Sequence, residues 1–453
     1  MLIGSDKMIA IVGLGLTGLS YARYLEAKGI AFVVMDTRKQ PPMLNQLEEE
    51  FADSAYLRAV HLGGLHQESL MAANEILLSP GFPMADSALQ AAINAGIKVH
   101  GDMSLFAEQC EGDIVAITGS NAKSTVTAWL AHMAEKAAID YAVGGNIGTA
   151  VLSLLEQPKK SLYILELSSF QLEATPQLNA KVATILNVSA DHQDRYEGMA
   201  AYHQAKQKVY RGAQNIVFNR HDPLTQALMA QGVSAISFGL NEPDLGQYGV
   251  RLRDGVEYLA KGLDLLLPAA SLSLPGQHNV QNALAALALG EAAGLPLGAM
   301  LAALQDFSGL PHRCEFVATV AGVDFINDSK GTNTGASIAA LEGLGPKQKL
   351  VLIAGGVGKG ANFDELRPAV EKYCRALVCI GEDAAKIAAS LDSSVADISF
   401  ADDMSSAVKE AFRLAQVGDA ILLSPACASF DMFASFEARG QAFKDAVQEV
   451  SHD

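Results

Sequence analysis

Short apolar runs rich in β-branched residues alternate with helical stretches along the whole chain. Examples of such runs are residues 8–12, 31–36, 75–78, 114–118, 163–167, 182–188, 350–354, 376–380 and 420–423. Continuous apolar strands followed by glycine-rich turns are typical of parallel sheets covered by helices. The pattern therefore predicts an α/β protein whose parallel strands are joined by right-handed crossovers.

The length of 453 residues is enough for two to four domains of ordinary size. We divide the chain into three domains, residues 1–101, 102–309 and 310–453. The second contains a strand-like, irregular stretch, residues 241–274, which predicts a small antiparallel addition to its sheet. The linkers near Gly101 and Leu310 are candidate hinges.

Charge and cysteine content exclude several classes of protein. With 33 basic and 50 acidic residues the net charge is −17, so a nucleic-acid partner, which requires a basic face, is not expected. No apolar run reaches the roughly 18 residues of a membrane span, so we expect no membrane insertion. The five cysteines are scattered without a C-x-x-C pair, which favours reduced thiols in the cytoplasm. We expect a cytoplasmic monomer.

A glycine-rich turn follows the first predicted strand. Gly13-Leu-Gly15-Leu-Thr-Gly18 stands before a predicted helix, residues 19–28, and Asp36 ends the next strand. These residues match the dinucleotide fingerprint, in which glycines allow close approach of a phosphate and an acid binds the ribose. The motif alone leaves open an NAD-dependent dehydrogenase, another nucleotide ligand, and a tight turn without any ligand.

A second nucleotide motif follows the strand at residues 114–118. Thr118-Gly-Ser-Asn-Ala-Lys-Ser-Thr125 precedes a predicted helix that runs to Lys136. In a P-loop, backbone N–H groups hold phosphates, a lysine (here Lys123) reaches the β and γ oxygens, and a hydroxyl (here Ser124 or Thr125) ligates Mg²⁺. Ile117 and Ala122 stand where the usual pattern has glycine, so this stretch by itself is equally consistent with an ordinary helix start.

Further polar residues stand at strand ends and on the helix that follows. Glu166 lies in an apolar run, where a P-loop protein places a carboxylate for its metal, although a surface acid is the simpler interpretation. His192 follows the strand at residues 182–188 and is either a metal ligand or a surface histidine. Lys206 lies on the next helix with Lys208, and its simplest interpretation is a solvated helix lysine.

Over essentially its whole length the chain resembles the Mur ligase family. Its P-loop has the family's form T-G-x-x-G-K-[ST] except at Ala122. Seven further motifs also match and follow in the same order: Gly145-Asn146-Ile147-Gly148, Glu166-Leu-Ser-Ser-Phe-Gln-Leu-Glu173, Asp191-His192-Gln-Asp-Arg-Tyr196, Gly276-Gln-His-Asn279-Val-Gln-Asn282-Ala, Leu310-Pro-His-Arg313, Asn327-Asp328-Ser329-Lys330 and Ser424-Pro-Ala-Cys-Ala-Ser429. The first glycine-rich turn with Asp36-Thr-Arg38, and the stretch 424–440, are most similar to the branch that uses D-glutamate.

The resemblance implies an ATP-dependent ligase of peptidoglycan synthesis. The enzyme would join D-glutamate to UDP-N-acetylmuramoyl-L-alanine through an acyl-phosphate and release ADP and phosphate. The implied fold has a Rossmann-like N-terminal domain for the UDP substrate, a central P-loop ATPase domain with a parallel sheet, and a Rossmann-like C-terminal domain that binds the amino acid and closes on ATP. The alternatives are a Mur ligase for another amino acid, an NAD-dependent dehydrogenase, and a non-catalytic P-loop regulator.

The resemblance also implies residue roles. It implies two Mg²⁺ ions, one held by Glu166 and Ser124 and the other by His192 and a carbamylated Lys206. The implied catalytic residues are Lys123, His192, Lys206 and Lys359. The implied ATP contacts are Gly119, Ser120, Asn121, Ala122, Lys123, Ser124, Thr125, Asn282, Arg313 and Asp328. The implied contacts to the UDP substrate are Leu16, Thr17, Gly18, Asp36, Thr37, Arg38 and Asn146. The implied contacts to D-glutamate are Lys330, Thr332, Lys359, Ser429 and Phe436.

The chain departs from the family pattern at three positions. Ala122 replaces the usual glycine, Gly331 an alanine, and Val357 an aspartate. We expect the last two departures to affect the positioning of glutamate rather than the reaction.

Overall fold

The structure is a computed structural model that describes residues 7–192, 195–228 and 232–452. In these residues the strands form three sheets of five, nine and six strands, and each sheet is the centre of one domain. The predicted α/β class with three domains is confirmed.

The first domain has a fully parallel sheet. Its elements are β1 (Met8–Val12), α1 (Leu16–Lys28), β2 (Ala31–Asp36), α2 (Leu44–Glu50), β3 (Leu57–Leu62), α3 (Gln67–Ala72), β4 (Glu75–Leu78), α4 (Ser87–Asn94) and β5 (Lys98–His100). The strand order is β3-β2-β1-β4-β5. The order reverses beside β1, and ligands of such sheets bind outside the carboxyl ends of the strands at that point.

The second domain carries the nine-stranded sheet. Its elements are α5 (Asp102–Gln109), β6 (Asp113–Thr118), α6 (Lys123–Lys136), β7 (Tyr141–Gly145), β8 (Leu162–Glu166), α7 (Ser169–Glu173), β9 (Val182–Ile185), α8 (Met199–Gln207), β10 (Asn215–Asn219), β11 (Ser234–Phe238), β12 (Tyr248–Arg253), β13 (Val256–Lys261), β14 (Asp264–Pro268), α9 (Gln277–Ala293) and α10 (Leu297–Asp306). The order is β14-β13-β12-β11-β10-β9-β6-β8-β7. Strands β12, β13 and β14 pair antiparallel, which confirms the predicted addition.

The third domain has the six-stranded sheet. Its elements are β15 (Glu315–Val320), β16 (Val323–Asn327), α11 (Thr334–Leu344), β17 (Leu350–Gly355), α12 (Arg367–Tyr373), β18 (Cys374–Ile380), α13 (Ala384–Leu391), β19 (Asp397–Phe400), α14 (Met404–Leu414), β20 (Ala420–Leu423) and α15 (Phe436–His452). The order is β15-β16-β20-β17-β18-β19. The sheet is parallel except at its edge, where β15 and β16 form an antiparallel pair.

Two predicted boundaries were wrong for local reasons. Helix α1 begins at Leu16 rather than at residue 19, because the extended Gly15 is its N-cap. Strand β9 ends at Ile185 rather than at residue 188. Beyond it the Asn187 side chain accepts the backbone N–H of Asn121 at 2.8 Å, and the N–H of Val188 donates to Asp222. The end of β9 thus turns towards the P-loop instead of continuing the sheet.

The first two domains share a hydrophobic core. One continuous buried cluster includes Tyr21 and Leu25 of α1 as well as Phe106 of α5 and Tyr163 of β8. The third domain buries its own clusters on the two faces of its sheet. Burial of shared apolar surface resists separation of domains, so the linker near Leu310 is a better candidate hinge than the one near Gly101.

Candidate active site

A cleft of about 770 Å³ lies at the carboxyl ends of β1, β2 and β4 and extends to the second domain. It brings together most of the residues predicted to contact the UDP substrate: Leu16, Thr17, Asp36, Thr37, Arg38 and Asn146. Gly18 has a packing role beneath this wall, since a Cβ atom built there would lie 2.0 Å from the carbonyl oxygen of Gly13. The first glycine motif therefore allows α1 to approach the turn closely.

The Asp36 carboxylate accepts several hydrogen bonds from neighbouring residues of this part of the cleft. It accepts the backbone N–H of Leu14 at 2.7 Å, the backbone N–H of Arg38 at 2.8 Å and the Arg38 guanidinium at 2.6 and 2.9 Å. Burial opposes its charge, but these donors outweigh burial and hold the pKa of Asp36 below its ordinary value. Asp36 lines the cleft, but its main effect is to hold the side chain of Arg38, which is half exposed.

The P-loop forms without the usual glycine. Ala122 is the N-cap of α6 with φ 66° and ψ −4°, in the left-handed region that favours glycine. The Lys123 Nζ folds back onto the carbonyl oxygens of Gly119 at 2.8 Å and Ser120 at 2.9 Å. The loop thus has the backbone form of a phosphate site and a lysine at its centre.

Ala122→Gly should keep or modestly improve kcat/KM for ATP, because glycine adopts positive φ without the cost of about 1 kcal/mol that a Cβ atom carries. Ala138, just beyond α6, also has positive φ (53°). Ala138→Gly is therefore a matched control that should change thermal stability alone. Strongly reduced ATP use by Ala122→Gly at unchanged stability would show that the loop depends on the methyl group.

Lys206 is buried beside the P-loop. Its side chain is 1% exposed, and Nζ donates to the Gly119 carbonyl at 2.9 Å and lies 4.5 Å from the centre of the Tyr202 ring. Burial, with repulsion from Lys123 second, lowers the pKa of Lys206 well below its ordinary value. The interpretation as a solvated helix lysine was wrong, and Lys208 lies beyond the end of α8.

Glu166 is also buried, with 2% exposure, so the interpretation as a surface acid was wrong. One carboxylate oxygen accepts Asn146 Nδ2 at 2.8 Å. The other, Oε2, is buried without a hydrogen-bond partner. Because a buried carboxylate oxygen left unpaired is costly, this atom fits a cation.

The third domain reaches the P-loop through two side chains. Arg313 donates to the hydroxyl of Ser124 at 2.6 Å. Asn333, the N-cap of α11, donates to Asn121 at 3.1 Å and to Asp191 at 3.2 Å. A hydroxyl oxygen has two lone pairs, so Ser124 can accept from Arg313 and still face a metal.

A cleft of about 350 Å³ opens between these domains. Its walls include six of the residues predicted for ATP, namely Asn121, Ala122, Thr125, Asn282, Arg313 and Asp328. Asp328 accepts Ser424 Oγ at 2.7 Å and the N–H of Cys314 at 3.2 Å. Burial raises its pKa to about 6. The cleft also has an apolar wall that suits a purine base.

A smaller cavity of about 40 Å³ is lined by residues predicted to bind the metal and by residues predicted to bind D-glutamate. His192 lines it together with Asp191, Thr332 and Lys359. Lys359 Nζ lies 4.0 Å from Asp191, and Lys359 has positive φ (49°). This cavity places a cation, a carboxylate and an imidazole near one another.

The other predicted glutamate residues lie on adjoining loops of the third domain. Lys330 Nζ lies 3.6 Å from the centre of the Phe436 ring, and burial lowers the pKa of this lysine to about 8. Ser429 is buried, and the backbone of its neighbour Ala428 pairs with Val357. Val357 therefore acts through its backbone, which joins the loops of Ser429 and Lys359.

Gly331 leaves room for two neighbouring polar side chains. A Cβ atom at this position would lie 2.6 Å from Asp328 Oδ2 and 2.8 Å from Ser424 Oγ. With alanine at this position, the carboxylate of Asp328, which lines the cleft of about 350 Å³, or the hydroxyl of Ser424 would have to shift.

Sequence reasoning missed three residues of the site. Asn333 donates across the domains to Asn121, and His278 lines the cleft of about 350 Å³. Asp191 was noted only as part of a motif. His278 lies within a quoted motif and Asn333 follows Thr332, but only the fold shows which atoms they face.

The oxygen donors beside the P-loop, such as the Glu166 carboxylate, suit magnesium rather than zinc. Among the described residues no group of three or more His, Cys, Asp and Glu side chains is spaced to hold a metal ion. Mg²⁺ is usually held by one or two carboxylates, with water and substrate phosphates completing its shell, and Glu166 beside the P-loop is such a set. Within the described ranges, no helix has both the length and the apolar character for a membrane span.

Three family models match the chain in succession. They are the MurD-like N-terminal domain of Mur ligases over residues 7–101, the Mur ligase middle domain over 117–290, and the Mur ligase glutamate ligase domain over 312–427. The chain belongs to the Mur ligase family. This membership sets aside the dehydrogenase interpretation of the first glycine motif.

Relatives and solved structures agree with this membership. The chain is 51% identical to the UDP-N-acetylmuramoylalanine–D-glutamate ligase of Pseudomonas putida, over 98% of either chain. It is also 51% identical to the ligase of that name from Pseudomonas aeruginosa, over 99% of this chain and 100% of the relative. In fold it is similar to MurF from Acinetobacter baumannii, with a TM-score of 0.62 and 18% identity, covering 97% of this chain and 93% of that one. It is likewise similar to the UDP-N-acetylmuramate-alanine ligase MurC of Thermotoga maritima, with a TM-score of 0.61 and 18% identity, covering 98% and 99%.

Proposed function

We propose that this Mur ligase uses ATP to join D-glutamate to UDP-N-acetylmuramoyl-L-alanine in peptidoglycan precursor synthesis. The observation that carries the proposal is a pair of hydrogen bonds that connect two sites to the P-loop and its neighbouring acid. Asn333, which lines the cavity with Thr332 and Lys359, donates to Asn121 of the loop at 3.1 Å, and Asn146, which lines the UDP cleft, donates to Glu166 at 2.8 Å. About 50% identity to ligases of this name supports the choice of substrates.

The chemistry requires activation of a carboxylate, which is a poor electrophile. An oxygen of the muramoyl-alanine carboxylate attacks the γ-phosphorus of ATP, the bond to ADP breaks, and an acyl-phosphate forms. The neutral amine of D-glutamate then attacks the acyl carbon, phosphate leaves, and the amine loses a proton. Lys123 and Arg313 neutralise charge on the transferring group. Burial between domains excludes water, which would hydrolyse the intermediate.

Within this scheme we assign the ATP contacts to the P-loop and the cleft behind it. Residues 119–125 would hold the phosphates, Asn282 and Arg313 would contact the adenine and the γ-phosphate side, and Asp328 would lie near the ribose. Thr332, Lys359, Ser429, Phe436 and Lys330 would surround D-glutamate.

Bound Mg²⁺ would supply charge neutralisation that the lysines alone do not provide. We assign one ion to Glu166, whose Oε2 has no hydrogen-bond partner, and to the Ser124 hydroxyl. We assign a second to His192 and Lys206. An ammonium at Lys206 would repel a cation, so we propose that Lys206 is carbamylated: its neutral amine bonds to the carbon of CO₂ and loses a proton. The resulting carbamate presents the oxygen ligands that Mg²⁺ prefers.

The UDP moiety would lie along Leu16, Thr17, Thr37 and Arg38, with Asn146 joining that cleft to Glu166 by its hydrogen bond. We propose domain boundaries at 101/102 and 309/310, where the sheets separate. We also propose a monomer in the cytoplasm, where the five free cysteines would stay reduced.

Phosphate release with UDP-N-acetylmuramoyl-L-alanine and a panel of amino acids tests the function. D-glutamate should support release, and L-glutamate should do little, because inversion at the α-carbon misplaces either the amine or a carboxylate. Equal turnover with L-alanine or a diamino acid would leave the family intact and refute the assignment of D-glutamate.

Arg38→Ala should raise KM for the UDP substrate about tenfold with less change in kcat, because the guanidinium would make a charge-assisted contact that is present before and during reaction. Arg58, an exposed residue on β3, provides a control, since Arg58→Ala should leave both constants near wild type. A fall in kcat alone for Arg38→Ala would contradict the placement of the UDP moiety.

A further inference from the structure

One arginine joins the second domain to the wall of the UDP cleft. Arg195 lies shortly after His192 and donates to consecutive backbone carbonyls of the first domain. The acceptors are the oxygens of Gly81 at 3.2 Å, Phe82 at 3.1 Å and Pro80 at 3.5 Å. The loop that carries them, residues 80–83, lines the UDP cleft. A single side chain thus contacts a continuous segment of the cleft wall.

The guanidinium is also fixed from the side of the second domain. It donates to Glu173 Oε2 at 3.1 Å, and the side chains of Arg195 and Glu173 are only 17% and 15% exposed. Its central carbon lies 4.5 Å from the centre of the Phe170 ring. A planar guanidinium held by several charge-assisted bonds and an aromatic face has little freedom.

The Phe170 ring continues the connection towards the reacting groups. Phe170 lines the UDP cleft. Its ring meets the His192 ring edge to face, with 4.8 Å between centroids and an interplanar angle of 63°. Arg195 therefore contacts the cleft wall on one side and, on the other, the ring against which His192 packs.

We propose that Arg195 is a positioning residue that couples occupancy of the UDP cleft to the placement of His192. The inference rests on the proposed function, in which this cleft holds the UDP moiety and His192 lies at the reacting end. Arg195 holds residues 80–83 in their binding conformation before the substrate arrives. Without it the substrate must order that loop itself, and the ordering weakens binding.

Arg195→Ala should raise KM for UDP-N-acetylmuramoyl-L-alanine about tenfold or more and leave KM for ATP within about twofold, because the lost bonds lie at the UDP cleft. Arg195→Lys should recover only part of the affinity, since an ammonium keeps the charge but lacks the planar fork that spans several carbonyls. Arg211→Ala is the matched control. Arg211 is an exposed arginine that donates to the Pro176 carbonyl, and its loss should leave both KM values near wild type.

Hydrogen exchange of the free enzyme supplies a readout that needs no substrate. In Arg195→Ala the backbone amides of Gly81 and Phe82 should exchange faster, and in Arg211→Ala they should not. Unchanged exchange at this loop would overturn the inference. Equal rises in KM for both substrates with a lower melting temperature would also overturn it, because they indicate a purely structural role. A wild-type enzyme without turnover on the UDP substrate would refute the proposed function, while the exchange measurement would still decide the role of Arg195.

Discussion

Lys206→Ala should lower kcat by about 10²- to 10³-fold, the scale for losing one charge-stabilising group at a reacting centre. The reason lies in the position of its amine, buried 2.9 Å from the Gly119 carbonyl of the P-loop. An unmodified ammonium there would oppose Mg²⁺, whereas a carbamate would hold it. Under the proposed modification, loss of the side chain would remove both carbamate oxygens and leave a space next to the P-loop.

Small acids should partly restore this variant, because a carboxylate entering the space supplies the missing oxygens. Acetate is a suitable probe, and chloride at equal ionic strength is its control. Lys208→Ala provides the control variant: Lys208 is the next lysine, half-buried just beyond α8, and its loss should leave turnover near wild type.

A mass measurement and a turnover measurement test the carbamylation of Lys206. The mass of the native protein measured under CO₂ should exceed the sequence mass by one CO₂ molecule, and Lys206→Ala should lack that increment. Near-normal turnover of Lys206→Ala would show that the second metal site needs another ligand.

Much of the fold was predictable because its signals are local. Continuous apolar runs such as that of β17 are typical of parallel strands that are buried on both faces of the sheet. Gly13 and the P-loop motif mark turns whose backbone is set by a few neighbouring residues. The antiparallel addition was visible because its strand-like stretch, residues 241–274, is irregular, unlike the continuous apolar runs of the parallel strands. Parts of the UDP and ATP sites were predictable for the same reason, since Asp36, Thr37 and Arg38 follow or end one strand of the first sheet and residues 119–125 follow one strand of the second.

The remainder depends on contacts between distant parts of the chain. Nothing near Lys206 in the sequence indicates that it is buried, because its environment is created by the P-loop and by Tyr202. The bond from Arg313 to Ser124 joins residues of different domains. The role of Asp36 was also incompletely predicted, since its oxygens are bonded to Leu14 and Arg38.

Lys123→Ala should lower kcat by about 10³-fold or more, comparable to the loss of a cation that stabilises a transferring phosphoryl group. In the structure its Nζ is held by the carbonyls of Gly119 and Ser120, so it is placed at the mouth of the phosphate loop before ATP binds. Binding of ATP should weaken less than catalysis, because the backbone N–H groups of the loop remain.

The melting temperature of Lys123→Ala distinguishes a loss of catalysis from misfolding. Burial lowers the pKa of Lys123, which means that the free protein holds its ammonium at a cost. Lys123→Ala should therefore melt at or above the wild-type temperature while phosphate release is lost. Lys136→Ala, at the far end of α6 with an ion pair to Asp306, should keep turnover. If Lys123→Ala retained phosphate release with D-glutamate, the charge on the transferring group would have to be neutralised by Arg313 and the metal alone, and the P-loop would serve only to bind the nucleotide.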